Sequence, residues 1–295
     1  MRVAINGNEL EIEVFGEDPD LPVMIVHHGA PGLGSRAEPK SGYAAFRDRC
    51  RVVTFDARGS GESGGKPPFT HEQWVADVDA IRQWMGVDRF VMAGGSYGGF
   101  IAMEYAWRHP ERLLALILRD TAADNAFRAG FTRAFLESDR VDLDPDLIHR
   151  VERGEVRSDE EFREFWRKAL RIYAHTYDPE AVEARAAATP YRYETHNFAF
   201  SKNVPAYDIK DRLERITCPT LVVVGRSDPV TPVWCSEAIV QRIKGARLEI
   251  FEKSGHSPPL EEPEKFQQIV RAFLDETLGL ARAEAGSARP SSSAP

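Results

Sequence analysis

Short apolar, β-branched runs alternate with helix-length amphipathic stretches, and this alternation limits what the chain can fold into more than any other feature. "PVMIVHHG", "RVVTFDARG", "RFVMAGGS" and "LLALIL" are such runs. Their consecutive apolar positions predict strands covered on both faces, as in a parallel sheet. Helical patterns lie between them. Residues 71–85, "HEQWVADVDAIRQWM", put Trp74, Val75, Val78, Ile81, Trp84 and Met85 on one stripe behind Thr70 as N-cap. "YGGFIAMEYAWRHPERL" reads as a small-residue helix stopped near Pro110. Strand and helix alternating over residues 22–118 require right-handed crossovers and a mostly parallel sheet. A hairpin precedes them, because "RVAINGNELEIEVFG" alternates apolar and polar residues on both sides of Asn6-Gly7-Asn8.

From about 121 to 205 the pattern changes to charged amphipathic helices, "FREFWRKALRIYAHTY" being the clearest. "CPTLVVVGRSD" then restores the strand signal, followed by a helix around 234–244, the strand "ARLEIFE" and a helix from Pro263 to about Leu278. The expected organisation is an α/β core from residues 1–120 and 206–279, with a helical cap at 121–205 inserted over the strand ends. A tail at 280–295, small, polar and proline-bearing, is expected to be disordered.

Composition narrows the partners. A chain of 295 residues, 42% of them hydrophobic, buries roughly three quarters of its unfolded surface, enough for one large domain with an insertion. The net charge of −8 and the lack of a basic stripe argue against nucleic acid. No apolar run approaches the roughly 20 residues of a membrane span, and the start has no apolar signal region, so a cytoplasmic protein is expected. Cys50, Cys218 and Cys235 are scattered without a C-x-x-C pair and read as reduced thiols. The adjacent His27 and His28 have no carboxylate or cysteine at ligand spacing. No metal or cofactor is expected. The expected partner is a small-molecule or short-peptide substrate, and the oligomeric state is left open.

In an open α/β sheet, ligands meet the carboxyl ends of the strands. Three polar residues fall there: Ser96 after "RFVMAGG", Asp228 after "TLVVVGRS" and His256 after "LEIFEKSG". Alone, each has an ordinary reading, as a loop serine, a turn former before Pro229 and a solvated histidine. Together they supply a nucleophile, a base to take its proton and a carboxylate to orient that base. Gly94-Gly95-Ser96-Tyr97-Gly98 fits G-x-S-x-G, with the strand before and helix after that a nucleophile elbow needs. The expected oxyanion donors are the N–H groups of Tyr97, next to the nucleophile, and Ala30, in the loop "HHGAPGLG". "DARGSGES" reads as a structured turn supporting these loops.

These motifs resemble the α/β-hydrolase superfamily over residues 1 to about 279. Within it, "HHGAPG", "DARGSGES" and "GGSYGG" resemble the proline iminopeptidase group of serine peptidases, with its HGGPG loop, DxRGxGxS turn and GGSWG-like elbow. The resemblance implies release of N-terminal residues, proline favoured, from small peptides or amides through an acyl-enzyme. It also implies that "YETHNF" carries a substrate-binding carboxylate, Glu194, for the free amino group, although Glu194 also fits an exposed acid on a charged cap. The chain departs from the group at Ala30, at Tyr97 and at Pro229, where some relatives place a second amine-binding glutamate. A carboxylesterase or lactonase using the same triad is the alternative reading. A hydrolase-derived binding protein is a third.

Overall fold

The structure is a computed structural model that describes residues 1–280. The tail expected at 280–295 therefore lies, but for Leu280, outside the described residues. Eight strands form one sheet: β1 (Arg2–Ile5), β2 (Asn8–Phe15), β3 (Val23–His27), β4 (Arg51–Phe55), β5 (Phe90–Gly95), β6 (Leu113–Arg119), β7 (Thr220–Gly225) and β8 (Arg247–Phe251). Their order is β1-β2-β4-β3-β5-β6-β7-β8. The first two pairings are antiparallel and all later ones parallel. In the opening hairpin Ile5 pairs with Asn8, and Asn6 and Gly7 both take positive φ, the conformation a two-residue turn matched to strand twist requires.

The apolar runs become central strands because side chains alternate across the sheet. In β3, Val23 and Ile25 join one apolar cluster while Met24 and Val26 join the cluster on the opposite face. In β5, Phe90 and Met92 face the first cluster, and Val91 and Ala93 the second. A strand buried on both faces has no room for a polar position, which is why these runs are unbroken. The edge strand β8 is only half-buried along most of its length, and its Arg247 and Glu249 fit that position.

Helices cover the sheet. α1 (Ala37–Tyr43) follows the β3 loop, α2 (His71–Trp84) lies between β4 and β5, and α3 (Tyr97–Arg108) leaves β5 directly. The α2 N-cap is Thr70, whose hydroxyl accepts from the Gln73 N–H at 3.2 Å. Of the stripe expected on this helix, Trp74, Val75, Val78 and Ile81 are buried. Trp84 is exposed, because it sits at the last turn, beyond the part of the helix that packs.

Between β6 and β7 the chain runs through α4 (Phe127–Glu137), α5 (Pro145–Arg153), α6 (Asp159–Tyr173), α7 (Pro179–Ala188) and α8 (Tyr193–Phe198). These helices build an apolar cluster of their own, centred on Phe135, Phe162, Phe165 and Trp166. In α6 the buried residues are Phe162, Phe165, Trp166, Ala169, Leu170, Ile172 and Tyr173, one face of a helix. After β7 come helices Val233–Val240 and, after β8, Pro263–Leu278. Cys50, Cys218 and Cys235 are all free and buried.

Candidate active site

Parallel register brings the ends of the central strands level. His27 of β3 stands beside Gly94 of β5, Gly95 beside Arg119 of β6, and Arg119 beside Val223 of β7. The residues that follow each strand therefore meet along one edge, and Ser96 sits at its centre.

Ser96 has φ +53 and ψ −124, a conformation that non-glycine residues rarely adopt. The surrounding backbone holds it there. The Ser96 N–H donates to the Arg119 carbonyl at 2.8 Å, and its own carbonyl accepts from the Gly99 N–H at 2.9 Å and the Thr121 hydroxyl at 2.8 Å. The glycines answer to separate close approaches. A Cβ on Gly94 would overlap the Gly98 carbonyl, and one on Gly98 would overlap the carbonyls of His27 and His28. Strain at a reactive residue, fixed from several sides, is the arrangement that presents a nucleophile.

Asp228 follows β7 and His256 follows β8. The His256 Nδ1 lies 2.9 Å from Asp228 Oδ2, and both side chains are buried. Asp228 is itself fixed. Its Oδ1 accepts from the N–H groups of Val230 and Thr231 at 2.8 and 3.2 Å, and its Oδ2 also accepts from the Thr231 hydroxyl at 2.8 Å. Burial works against this carboxylate, yet His256 and these donors outweigh it and hold its pKa below the ordinary value. The loop of His256 is anchored from two sides: its N–H donates to the Tyr173 carbonyl at 2.7 Å, and its carbonyl accepts from Arg119 Nη1 at 2.9 Å.

Ser96 and His256 line one cavity of about 570 Å³, together with Ala30, Trp166 and Tyr173. A smaller apolar recess of about 50 Å³ meets it at Ala30, Leu33 and Ser96 and also touches Tyr97. The β3 loop passes close to the serine, since a Cβ on Gly29 would lie 3.4 Å from that of Ser96. Ala30 and Tyr97, the expected oxyanion donors, are thus beside Ser96. The Tyr97 phenol points away into a polar contact with His71 Nε2 at 2.7 Å and Asn203 at 3.2 Å. Glu194 is not brought to this cavity. It lies exposed on α8 and is absent from the lining of both recesses.

The paired histidines make their hydrogen bonds to the backbone, and the buried His27 Nε2 has no hydrogen-bond partner among the described residues. The His28 Nδ1 lies 3.0 Å from the Gly29 carbonyl while its Nε2 accepts from the Ala57 N–H at 3.0 Å, so the ring bridges two loops. The His27 Nδ1 reaches the His28 carbonyl at 2.8 Å, and burial pushes its pKa down to about 3. The "DARGSGES" turn is tied together by ionic contacts. Asp56 accepts from the Arg36 side chain at 2.5 Å and the Glu62 N–H at 2.8 Å, and the buried Arg58 pairs with Asp77 at 2.8 Å.

Three charged residues at the site are not singled out by the sequence patterns. Asp120 directly follows β6 with φ +44 and is fully buried. Its Oδ1 accepts from the Gly225 N–H at 2.9 Å and its Oδ2 from Arg119 at 3.1 Å. Burial and the neighbouring Asp228 push its pKa up to about 7. Asp120, Asp228 and His256 bring ligand atoms within 4.8 Å of one another. Their oxygens already accept from N–H and O–H donors, one of them on the cationic Arg119, which makes this a proton and hydrogen-bond network. Arg119 also pairs with Glu38 across the cavity floor. The third residue, Arg185 of α7, lines the cavity with its guanidinium 5.7 Å from the Trp166 ring. Asp120 had one legible signal, its place directly after a strand. Arg185 had none, since arginine on a charged helix is unremarkable without the cavity.

Sheet order, the strained serine after β5 and the carboxylate–histidine pair after β7 and β8 define a class. A model of the α/β hydrolase fold family matches residues 22–263, and the chain belongs to that family. It is similar to the proline iminopeptidase PfmaB of Pestalotiopsis fici, at 31% identity over 92% of this chain and 98% of that one. It is also similar to a putative carbamate hydrolase, RutD, of Rhizobium rhizogenes, at 30% identity over 90% and 97%. Among solved structures the enol-lactonase from Burkholderia xenovorans superposes with a TM-score of 0.76 at 22% identity, covering 93% of this chain and 99% of that one. The chain is a hydrolase of proline iminopeptidase-like sequence.

Proposed function

We propose that the protein is a serine hydrolase that cleaves small carboxylic esters or lactones through an acyl-enzyme on Ser96. The observation that carries this is the buried Asp228–His256 pair, 2.9 Å apart, whose histidine shares a cavity with a strained serine. In this reading His256 takes the Ser96 proton as Oγ attacks the carbonyl, and Asp228 holds the Nδ1–H and stabilises the imidazolium. The Ala30 and Tyr97 N–H groups receive the charge that develops on the carbonyl oxygen. The same imidazolium then protonates the leaving group, and water repeats the sequence to free the acid. The helices α4–α8 act as a cap that keeps the acyl group out of bulk water.

An ester or lactone is favoured over an N-terminal amine by the charges around the cavity. The exposed position of Glu194 removes the carboxylate that the resemblance assigns to an ammonium. The oxygens of Glu38 accept from Arg119 and from the Gly29 N–H, and those of Glu261 from the N–H groups of Gly255 and His175. Prolyl aminopeptidase activity is the second reading, and the similarity to proline iminopeptidases is what favours it. Rates on 4-nitrophenyl butyrate, proline 4-nitroanilide and its N-acetylated form, with Ser96→Ala as blank, separate the two. Ester turnover well above anilide turnover is expected. A strong preference for the free-amine anilide would replace the ester reading with the peptidase.

A further inference from the structure

Besides Tyr173, six ionisable residues line the large cavity: Glu38, Arg119, Asp178, Arg185, His256 and Glu261. Five of them have partners. Glu38 pairs with Arg119, His256 with Asp228, and Glu261 accepts two backbone N–H groups. Asp178 caps α7, its Oδ1 accepting from the Glu180 and Ala181 N–H groups at 2.9 and 3.2 Å.

Arg185 stands apart. Among the described residues no carboxylate lies within ion-pair reach of it and no acceptor takes its N–H groups; its guanidinium stands 5.7 Å from the centre of the Trp166 ring. Its position is held by the helix. Ala181, Val182, Arg185 and Ala188 all line the cavity, the spacing of one helical face, and small residues on either side leave the guanidinium room to face inward. The groups that act on its charge, Glu38, Tyr173, Arg119 and Glu261, all line the same cavity, and desolvation lowers its pKa from the ordinary arginine value. Arginine nevertheless stays charged, and Arg185, half-buried in the cavity wall, is a partly desolvated cation with no carboxylate within ion-pair reach, an unfavourable arrangement. A ligand that brings an anion removes that cost.

We infer that Arg185 is a specificity-determining residue that binds a carboxylate carried by the substrate, remote from the carbonyl that Ser96 attacks. The guanidinium fork matches a carboxylate in two parallel hydrogen bonds, and the Trp166 ring lies beside it. The inference rests on the ester or lactone reading and narrows it to acyl compounds bearing a second, anionic carboxyl group.

The test uses two matched ester pairs, in which the anionic carboxylate is replaced by a methyl group on a chain of equal length or by a carboxamide of similar shape. Mono-4-nitrophenyl adipate against 4-nitrophenyl hexanoate places the carboxylate on the acyl side. 4-Carboxyphenyl hexanoate against 4-carbamoylphenyl hexanoate places it on the leaving group. Wild-type protein should prefer the charged member of at least one pair by 10-fold or more in kcat/KM. Losing one side of a partly buried charge pair costs on the order of 30-fold or more. Arg185→Gln should therefore lower the charged-to-neutral ratio by that factor, and Arg185→Lys should restore part of it. Thermal melts of both variants check that the fold is kept. A wild-type ratio near one in both pairs, or a preference that survives Arg185→Gln, would overturn the inference. Hydrolysis of all four esters no faster than by Ser96→Ala would instead sink the hydrolase reading. Binding then decides the point separately: adipate should raise the melting temperature of the wild-type protein and not that of Arg185→Gln, and equal shifts would refute the carboxylate site.

Discussion

The elbow after β5 and the α6–α7 helices face the same cavity, yet their sequences answer to different constraints. At the elbow the backbone leaves no choice. Gly94 and Gly98 are forced by backbone carbonyl oxygens, while a Cβ on Gly95 or Gly99 would meet the Arg119 or Thr121 side chain. On α6 and α7 the inner face needs only to be apolar and of suitable size, and Phe165, Trp166 and Tyr173 are one filling among many. The elbow therefore carries its role in its letters, while the helices carry theirs in their placement. On the proposed function, the reaction chemistry is written locally, while substrate selection is assembled from parts that look ordinary alone.

The comparison breaks most sharply at the nucleophile. Ser96→Ala removes one hydroxyl and should cost on the order of 10³-fold or more in turnover with little change in stability, because triad members act as a unit. Residual ester hydrolysis above a tenth of wild type would mean that the attacking group lies elsewhere. Next in size is Asp228→Asn. The amide keeps the shape, but its NH₂ cannot accept the His256 Nδ1–H, so the ring is held in the wrong tautomer. A loss of roughly 10²-fold or more is expected, measured as kcat on the same ester. Unimpaired turnover would remove Asp228 from the mechanism.

Gly98→Ala probes the steric side. Its methyl group would overlap two carbonyl oxygens of the β3 end, and relieving that overlap must shift either the elbow or the loop carrying Ala30. Destabilisation of about 2 to 4 kcal/mol in denaturant unfolding is expected, together with lost activity. On α7, by contrast, Ala187→Ser on the exposed face should change neither by more than about 0.5 kcal/mol. Similar melts for both variants would erase the contrast between the two regions.

Asp120 sharpens it further through pH. Its folded pKa is raised to about 7 by burial and Asp228, so the native state holds a proton that the unfolded chain has already released. The resulting stabilisation is fully present below the ordinary carboxyl value near 4 and is lost as pH rises through about 7. Asp120→Asn removes this dependence. The melting temperature of the variant relative to wild type should therefore rise between pH 5 and pH 8, and a constant difference would show that Asp120 does not titrate in this range. The smallest effect is expected from Glu194→Gln. An exposed carboxylate outside both recesses should alter ester turnover by less than about 2-fold, whereas a large loss confined to free-amine anilides would return Glu194 to an amine-binding role.

Much of the core was legible before any coordinates. β3, β5, β6 and β7 had to be buried on both faces because their apolar runs have no polar break, and such strands require helical crossovers. The glycines around Ser96 marked a tight turn, and Ser96, Asp228 and His256 were legible as residues at strand ends, where the structure places them along one sheet edge with Asp228 and His256 in contact. The burial of Asp120 between Asp228 and Arg119 depends on parallel register across three strands, which a linear reading does not supply. Glu194 shows the converse: its neighbours suggested a ligand, and the packing of α8 turned Thr195 and His196 inward and left Glu194 outside. Arg185 is the clearest case. Periodicity can say which face of a helix is apolar, but it cannot say which cavity that face meets or which carboxylates already have partners. By itself the sequence determined the sheet and its strained turn, because backbone sterics act over a few residues. The tertiary structure alone decided which charge faces the cavity without a counter-charge, because that depends on groups from α1, β6, α7 and the loop after β8 brought together across the whole chain.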